Sequence, residues 1–203
     1  MIQGLTYQEG IFMRNILRNT THLAMHIVKE YITADSVVVD ATCGNGYDTL
    51  ALARCHPAVL YAFDIQEKAV EATKQRLSAN GFDAELKSGR IRVICDNHDA
   101  AGQYLTCGID AAVFNLGYLP GSDKSITTTS SCTVNAVREC LKLLNRNGII
   151  SITMYSGHAE GSLEKNAVLD FAAGLDSSEY HVVFTQMLNQ PSDPPETLFI
   201  TRK

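Results

Sequence analysis

The chain has 203 residues, of which 45% are hydrophobic and 19% charged, and its formal net charge is −5. That composition belongs to a globular protein long enough to bury a core without disulfide or metal staples. The acidic balance excludes a polyanion-binding surface spread over the whole molecule, although a local basic face could still dock a small RNA.

Six cysteines (Cys43, Cys55, Cys95, Cys107, Cys132, Cys140) are scattered without a Cys-x-x-Cys pair or a Cys/His cluster. Structural zinc and a disulfide framework are therefore not expected, and a reducing cytoplasm is. Polar Gln3, Gln8 and Glu9 stand where a signal peptide would need its apolar run, and no stretch is long enough to cross a bilayer, so no membrane partner is expected.

Residues 1–35 read as a helical extension ahead of the core. Thr20 and Thr21 offer caps for a helix running to about Tyr31, with Leu23, Ile27 and Val28 as a partial apolar face. His22 and His26 share one side of it; with no third ligand nearby they suit a solvated or substrate-facing surface, and no metal site is expected. From residue 36 strand and helix signals alternate. Strands are expected at about 36–40, 59–63, 91–95, 109–114 and 148–154, with helices at about 46–55, 67–79, 134–144 and 162–174. Asn80-Gly81 closes the second of these helices as a C-terminal signal should. Two last strands, about 180–188 and 196–202, are joined by the proline-rich loop Asn189 to Pro195 with no helix between them, so they must pair antiparallel. The alternation predicts a mainly parallel sheet with helices on both faces. A doubly wound, seven-stranded sheet ending in such a hairpin is the architecture of class I methyltransferases, here one domain over 1–203 with a Rossmann-like core over 36–203.

The stretch Val37 to Thr49 organises that core. A β-branched run ends in Asp40, passes Gly44 and Gly46, and opens into the helix-forming Leu50-Ala51-Leu52-Ala53. Glycines there let the backbone approach a ligand closely, and Asp64, about twenty residues on, can accept the hydroxyls of a ribose. The dinucleotide fingerprint wants a third glycine where this chain has Thr49. Asp40, Asp64 and Asp96 end three successive strands, and in an open α/β sheet such ends line one crevice. S-adenosylmethionine fits them: its amino-acid end near the first turn, its ribose at Asp64 and its adenine near Asp96.

Asn115-Leu116-Gly117-Tyr118-Leu119-Pro120 follows the fourth strand, where a reacting group would face the donated methyl. It resembles the Asn-Pro-Pro-Tyr loop of amino-group methyltransferases without its two prolines. The Asn115 oxygen can hold an amine's hydrogens, leaving the lone pair aligned for attack, and Tyr118 can stack on a base or confine an aliphatic amine. An alkylammonium must lose a proton, for which His158 is a candidate; its alternative is a loop histidine bonded to backbone. The polar loop around Asp123-Lys124 reads both as the lead into a helix capped by Ser130 or Ser131 and as a substrate cover whose Lys124 meets phosphate.

The blocks Asp40 to Thr49, Phe63-Asp64-Ile65-Gln66, Asn115 to Lys124 and Tyr155 to Gly161 together resemble the bacterial family labelled rRNA methylase, associated with methylating 5-aminomethyl-2-thiouridine at the tRNA wobble position. The resemblance runs from about residue 20 to the C-terminus. It implies the class I fold, S-adenosylmethionine as donor and the anticodon arm of tRNA as substrate. By the match, cofactor contacts fall on Asp40, Thr42, Gly44, Asn45, Gly46, Asp48, Asp64, Gln66, Asp96, Asn97 and His98, with Asn115, Tyr118 and His158 at the methyl-accepting end. Arg14, Arg18, Lys29, Lys124 and Lys165 are the cations considered for tRNA docking, and a homodimer would widen the RNA-binding surface of so small a chain. The alternatives are ribosomal RNA or a small amine as acceptor, or a module that senses S-adenosylmethionine without chemistry.

Overall fold

The computed structural model describes residues 16–105, 107–117, 130–155, 159–191 and 193–203. Apolar, β-branched runs form the strands β1 (Val37–Asp40), β2 (Val59–Asp64), β3 (Ile91–Cys95), β4 (Ile109–Leu116), β5 (Leu144–Met154), β6 (Tyr180–Thr185) and β7 (Glu196–Arg202). They make one sheet in the order β3-β2-β1-β4-β5-β7-β6. The first five strands run parallel, and β7 is antiparallel to both its neighbours. The expected class I architecture with its C-terminal hairpin is therefore present.

Strand periodicity sends adjacent side chains to opposite faces. Val38, Leu60, Ala111 and Val113 meet α1 (Thr20–Lys29), α2 (Tyr47–Ala53) and α3 (Glu67–Ala79) through Ala24, Val28, Leu50, Leu52 and Leu77. Val39, Phe63, Ala112 and Phe114 meet the opposite layer through Ala101, Val137, Cys140, Val168 and Ala172. After α4 (Asp83–Ser88), that layer consists of α5 (Ala101–Tyr104), α6 (Ser130–Leu143) and α7 (Ala159–Ala173). Because α1 shares a core with β1 and α2, the N-terminal extension is part of the packed domain from Thr20 onward.

The helix α1 is capped differently from the expectation. Asn19 is its N-cap, its side chain accepting from the His22 N–H at 2.8 Å. Thr20 is buried and its hydroxyl donates instead to the Pro195 carbonyl, tying α1 to the segment leading into β7. Neither α4 nor α5 was expected; six and four residues are too few to show helical periodicity. α6 begins at Ser130 rather than near Val134, and β5 begins at Leu144, taking in Asn145 to Gly148 through a register irregularity opposite Ile109 and Ala111.

That irregularity is secured by Asp110. Its Oδ2 accepts from the Val37 N–H and its Oδ1 from Asn145 Nδ2, each at 2.8 Å, so one side chain binds the starts of β1 and β5 to β4. Replacement by Ala strands the Val37 N–H, and the Asp110→Ala protein is expected to lose about 1–2 kcal/mol of stability. Urea unfolding with an unchanged slope and a lower midpoint checks this; an unchanged midpoint refutes it.

Candidate active site

Parallel strands deliver their C-terminal ends to one edge of the sheet. In the order β3-β2-β1-β4, those ends carry Asp96, Asp64, Asp40 and Asn115 side by side. The connections diverge between β1 and β4, which is where open α/β sheets bind ligands.

The loop after β1 is held from several sides. Asp40 is fully buried; its Oδ1 accepts from the Thr42 N–H at 3.2 Å and its Oδ2 from the Thr49 hydroxyl at 2.6 Å. Asp64 reaches across from β2, Oδ2 accepting from the Gly44 N–H at 3.0 Å and Oδ1 from the Gln66 N–H at 2.9 Å. The helix α3 fastens the loop from behind: the Thr73 hydroxyl donates to the Gly44 carbonyl at 3.0 Å and Arg76 Nε to the Asn45 carbonyl at 2.6 Å. The Arg76 guanidinium also lies 3.6 Å from the centre of the Tyr47 ring. Gly46 has φ +76° and a Cβ there would come within 2.8 Å of Thr73 Cα, so only glycine allows the loop to lie this close to α3.

The third strand end is equally defined. Asp96 Oδ1 accepts from the Asn97 N–H and Oδ2 from the Tyr104 hydroxyl, both at 2.7 Å, and these bonds hold its carboxyl below the ordinary range. His98 is buried in a single 3-10 turn, its ring edge-on to Phe114 with centroids 5.9 Å apart.

At the end of β4, Asn115 is gripped twice. Its backbone N–H donates to the Thr42 hydroxyl at 2.7 Å, and its side-chain Nδ2 donates to Asp48 Oδ2 at 2.6 Å. Asp48 and Asn115 share a narrow crevice with Thr21, Ala24, Met25 and Val28 of α1 and with Val113, Ser151 and Thr153. The expected cofactor residues Thr42 and Asp48 are thus bonded directly to the expected acceptor residue. Tyr118, His158, Arg14 and Lys124 lie outside the described residues.

Burial acts on the charges here. Asp40 is raised to about 7, first by burial and then by the charge of Asp48. Asp48 is raised by burial against the opposing effects of Asn115, Lys29 and His22, and Asp64 is raised by burial against three backbone N–H bonds. Burial and Asp40 also push the Cys43 thiol up, so it remains a thiol and no nucleophile. Among the described residues no three His, Cys, Asp or Glu side chains gather as a metal site.

This donor set fits S-adenosylmethionine. A carboxylate oxygen has two lone pairs, so Asp64 can accept ribose hydroxyls while keeping Gly44 and Gln66. Cations suit a loop surrounded by Asp40, Asp48 and Asp64. Sequence reasoning missed Thr73, Arg76 and Tyr104, whose contacts arise from helix packing. It noticed Thr49 only as an absent glycine, although Thr49 is the partner of Asp40.

Comparison with known proteins agrees. The family described as "Putative rRNA methylase" matches residues 60–201. A chloroplastic tRNA (mnm(5)s(2)U34)-methyltransferase of Arabidopsis thaliana is 35% identical over 204 residues, covering 95% of this chain and 73% of that protein. Among solved structures, an rRNA-methylase from Clostridium thermocellum superposes with a TM-score of 0.85 at 34% identity, over 91% of this chain and 98% of that one. A Streptococcus mutans methyltransferase in complex with SAH has a TM-score of 0.80 and 34% identity, over 90% of this chain and 97% of that one.

A raised carboxyl couples stability to pH. Between its ordinary 3.8 and about 7, Asp40 keeps its proton when folded and loses it when unfolded, so raising pH across this window favours unfolding. The contribution is fully present below 3.8 and lost as pH passes 7. Measured against Asp40→Asn, the ligand-free wild type is expected to lose stability on the order of 4 kcal/mol across that window. Chemical denaturation at several pH values reads the difference, and a flat difference curve would remove the buried-acid assignment.

Proposed function

This chain belongs to the rRNA methylase family, and from that premise we propose that it methylates the exocyclic amine of 5-aminomethyl-2-thiouridine at the wobble position of tRNA. The product is the 5-methylaminomethyl nucleoside. S-adenosylmethionine is the cofactor, supplying a methyl on a positively charged sulfur that an amine takes by direct displacement. The protein's work is consequently positioning rather than covalent catalysis.

The observation that carries this reading is the double grip on Asn115. With its backbone bonded to Thr42 and its Nδ2 to Asp48, its Oδ1 is the side of the amide left to accept an N–H from the substrate. Asp64 takes the ribose hydroxyls, with Gln66 beside it. Asp96, Asn97 and His98 form the adenine end, and the backbone of Thr42, Gly44, Asn45 and Gly46 borders the amino-acid end. Asp40 acts beneath the loop, through Thr42 and Thr49. Tyr118 is the residue to stack on the base or confine the amine, and His158 the candidate to take the proton that the alkylammonium must lose before attack.

The finer assignments belong to the same reading. The anticodon arm is the part of tRNA engaged, two copies of the chain make the RNA-binding surface wide enough, and the setting is the cytoplasm, where six cysteines outside any disulfide persist. Among the described residues no helix is long and apolar enough to cross a membrane. Ribosomal RNA is the rival acceptor, favoured by the family's description.

Labelled methyl transfer to tRNA lacking the final wobble methyl, with ribosomal RNA in parallel and product nucleosides identified by mass, decides between them. The expected result is 5-methylaminomethyl product on tRNA alone. Label on ribosomal RNA alone would replace the substrate, and binding of the cofactor without transfer to either would favour a sensor. Separately, Asp64→Ala is expected to weaken SAH binding at least about tenfold, since a charge-assisted bond is lost. Calorimetric titration giving an unchanged Kd would take Asp64 out of the cofactor site.

A further inference from the structure

Asp48 reads from the sequence as one more residue of the cofactor loop. Its carboxylate is instead directed at β4, where Oδ2 receives the Asn115 Nδ2 proton at 2.6 Å, 67 residues away along the chain. The consequence is chemical. An ionised carboxylate only accepts, so the amide facing it must present its NH2 group; the flipped amide would bring two acceptor oxygens together. The backbone of Asn115 is fixed through its N–H to Thr42, and the bond to Asp48 is what sets its side chain and the turn of its terminal amide.

The surroundings favour this pairing. Asp48 is half-buried in the crevice under α1, where a charge-assisted bond is less diluted by water than at the surface. Burial pushes its carboxyl up, while Asn115 from β4 and Lys29 and His22 from α1 each favour the charged form, and Asp40 stands beyond it on β1.

We propose that Asp48 is a positioning residue for methyl transfer: its carboxylate holds the Asn115 amide with Oδ1 turned toward the acceptor amine. The assignment rests on the reading that Asn115 holds that amine. Asp48 acts through Asn115, and its removal frees the amide to turn its NH2 group toward the amine, which misplaces the lone pair.

The test is a double-mutant cycle on the full chain, with Asp48→Ala and Asn115→Ala made singly and together. Turnover is measured at saturating S-adenosylmethionine on tRNA lacking the wobble methyl, and SAH affinity by calorimetry. Each single substitution is expected to lower kcat about 10²-fold, the scale of a misplaced reacting group, with SAH affinity changing far less. The double variant should be no slower than Asn115→Ala within about twofold, because the two residues act as one unit. Asp48→Asn, which keeps an acceptor but adds a donor, should recover part of the rate. Multiplying losses in the double variant, or a loss of SAH affinity as large as the loss of kcat, overturns the proposal and returns Asp48 to the cofactor.

A wild-type protein that binds SAH yet leaves this tRNA unmodified would refute the substrate reading alone. The Asp48–Asn115 pair is then judged by nitrogen-15 NMR. The Asn115 side-chain NH2 signal, assigned by its disappearance in Asn115→Asp, should lie downfield in the wild type and return to the ordinary amide range in Asp48→Ala. An unmoved signal overturns the proposal independently of any substrate.

Discussion

The hydrogen bond from the Asn115 N–H to the Thr42 hydroxyl joins the two halves of this site. Thr42 belongs to the loop after β1 and Asn115 to the end of β4, and the two strands are neighbours only because the sheet reverses its order between them. The position of Thr42 depends on Asp40, whose buried carboxylate also takes the Thr49 hydroxyl and so sets the start of α2. From α2, Asp48 closes the circuit by returning to Asn115. The loop after β1 and the end of β4 are therefore built on one ring of bonds, and a displacement of β4 relative to β1 would be felt at both. Methyl transfer by displacement requires that coupling, since the rate depends on the alignment of two bound molecules.

Most of the frame was legible because it obeys short-range rules. Val37 to Asp40 and Ile91 to Cys95 are β-branched runs with clear ends, and Asn80-Gly81 stops α3 where such a pair should. The acids at the strand ends were legible as a set, because parallel strands put their ends together whatever the details of packing. Family resemblance added named residues of the same loop as expected cofactor contacts.

What escaped the sequence depends on contacts between distant segments or on elements too short for a pattern. Asn19 rather than Thr20 caps α1, because the Thr20 hydroxyl is bonded to Pro195 far along the chain. Tyr104 reaches Asp96 from a four-residue helix that no periodicity announces. Thr49 could be read only as a missing glycine until its partner was known. The pairing of Asp48 with Asn115 had no local signature either, since a polar residue in the first turn of a helix is ordinary. In each case the residue type was visible, and the partner that gives it meaning was not.

Electrostatics links this ring to its ligands. Asp40, Asp48 and Asp64 surround one loop, and burial pushes all three carboxyls up, because their charged forms are poorly solvated there. Arg76 donates to the Asn45 carbonyl and lies against the Tyr47 ring, while Lys29 and His22 favour the charged form of Asp48 from α1. A ligand bearing a sulfonium and an ammonium would add positive charge beside the same loop. Burial of Asp40 makes the fold lose stability as pH rises toward neutral, whereas a cation bound beside the loop would favour the same charged carboxylates, so folding and binding would make opposite demands on one set of side chains.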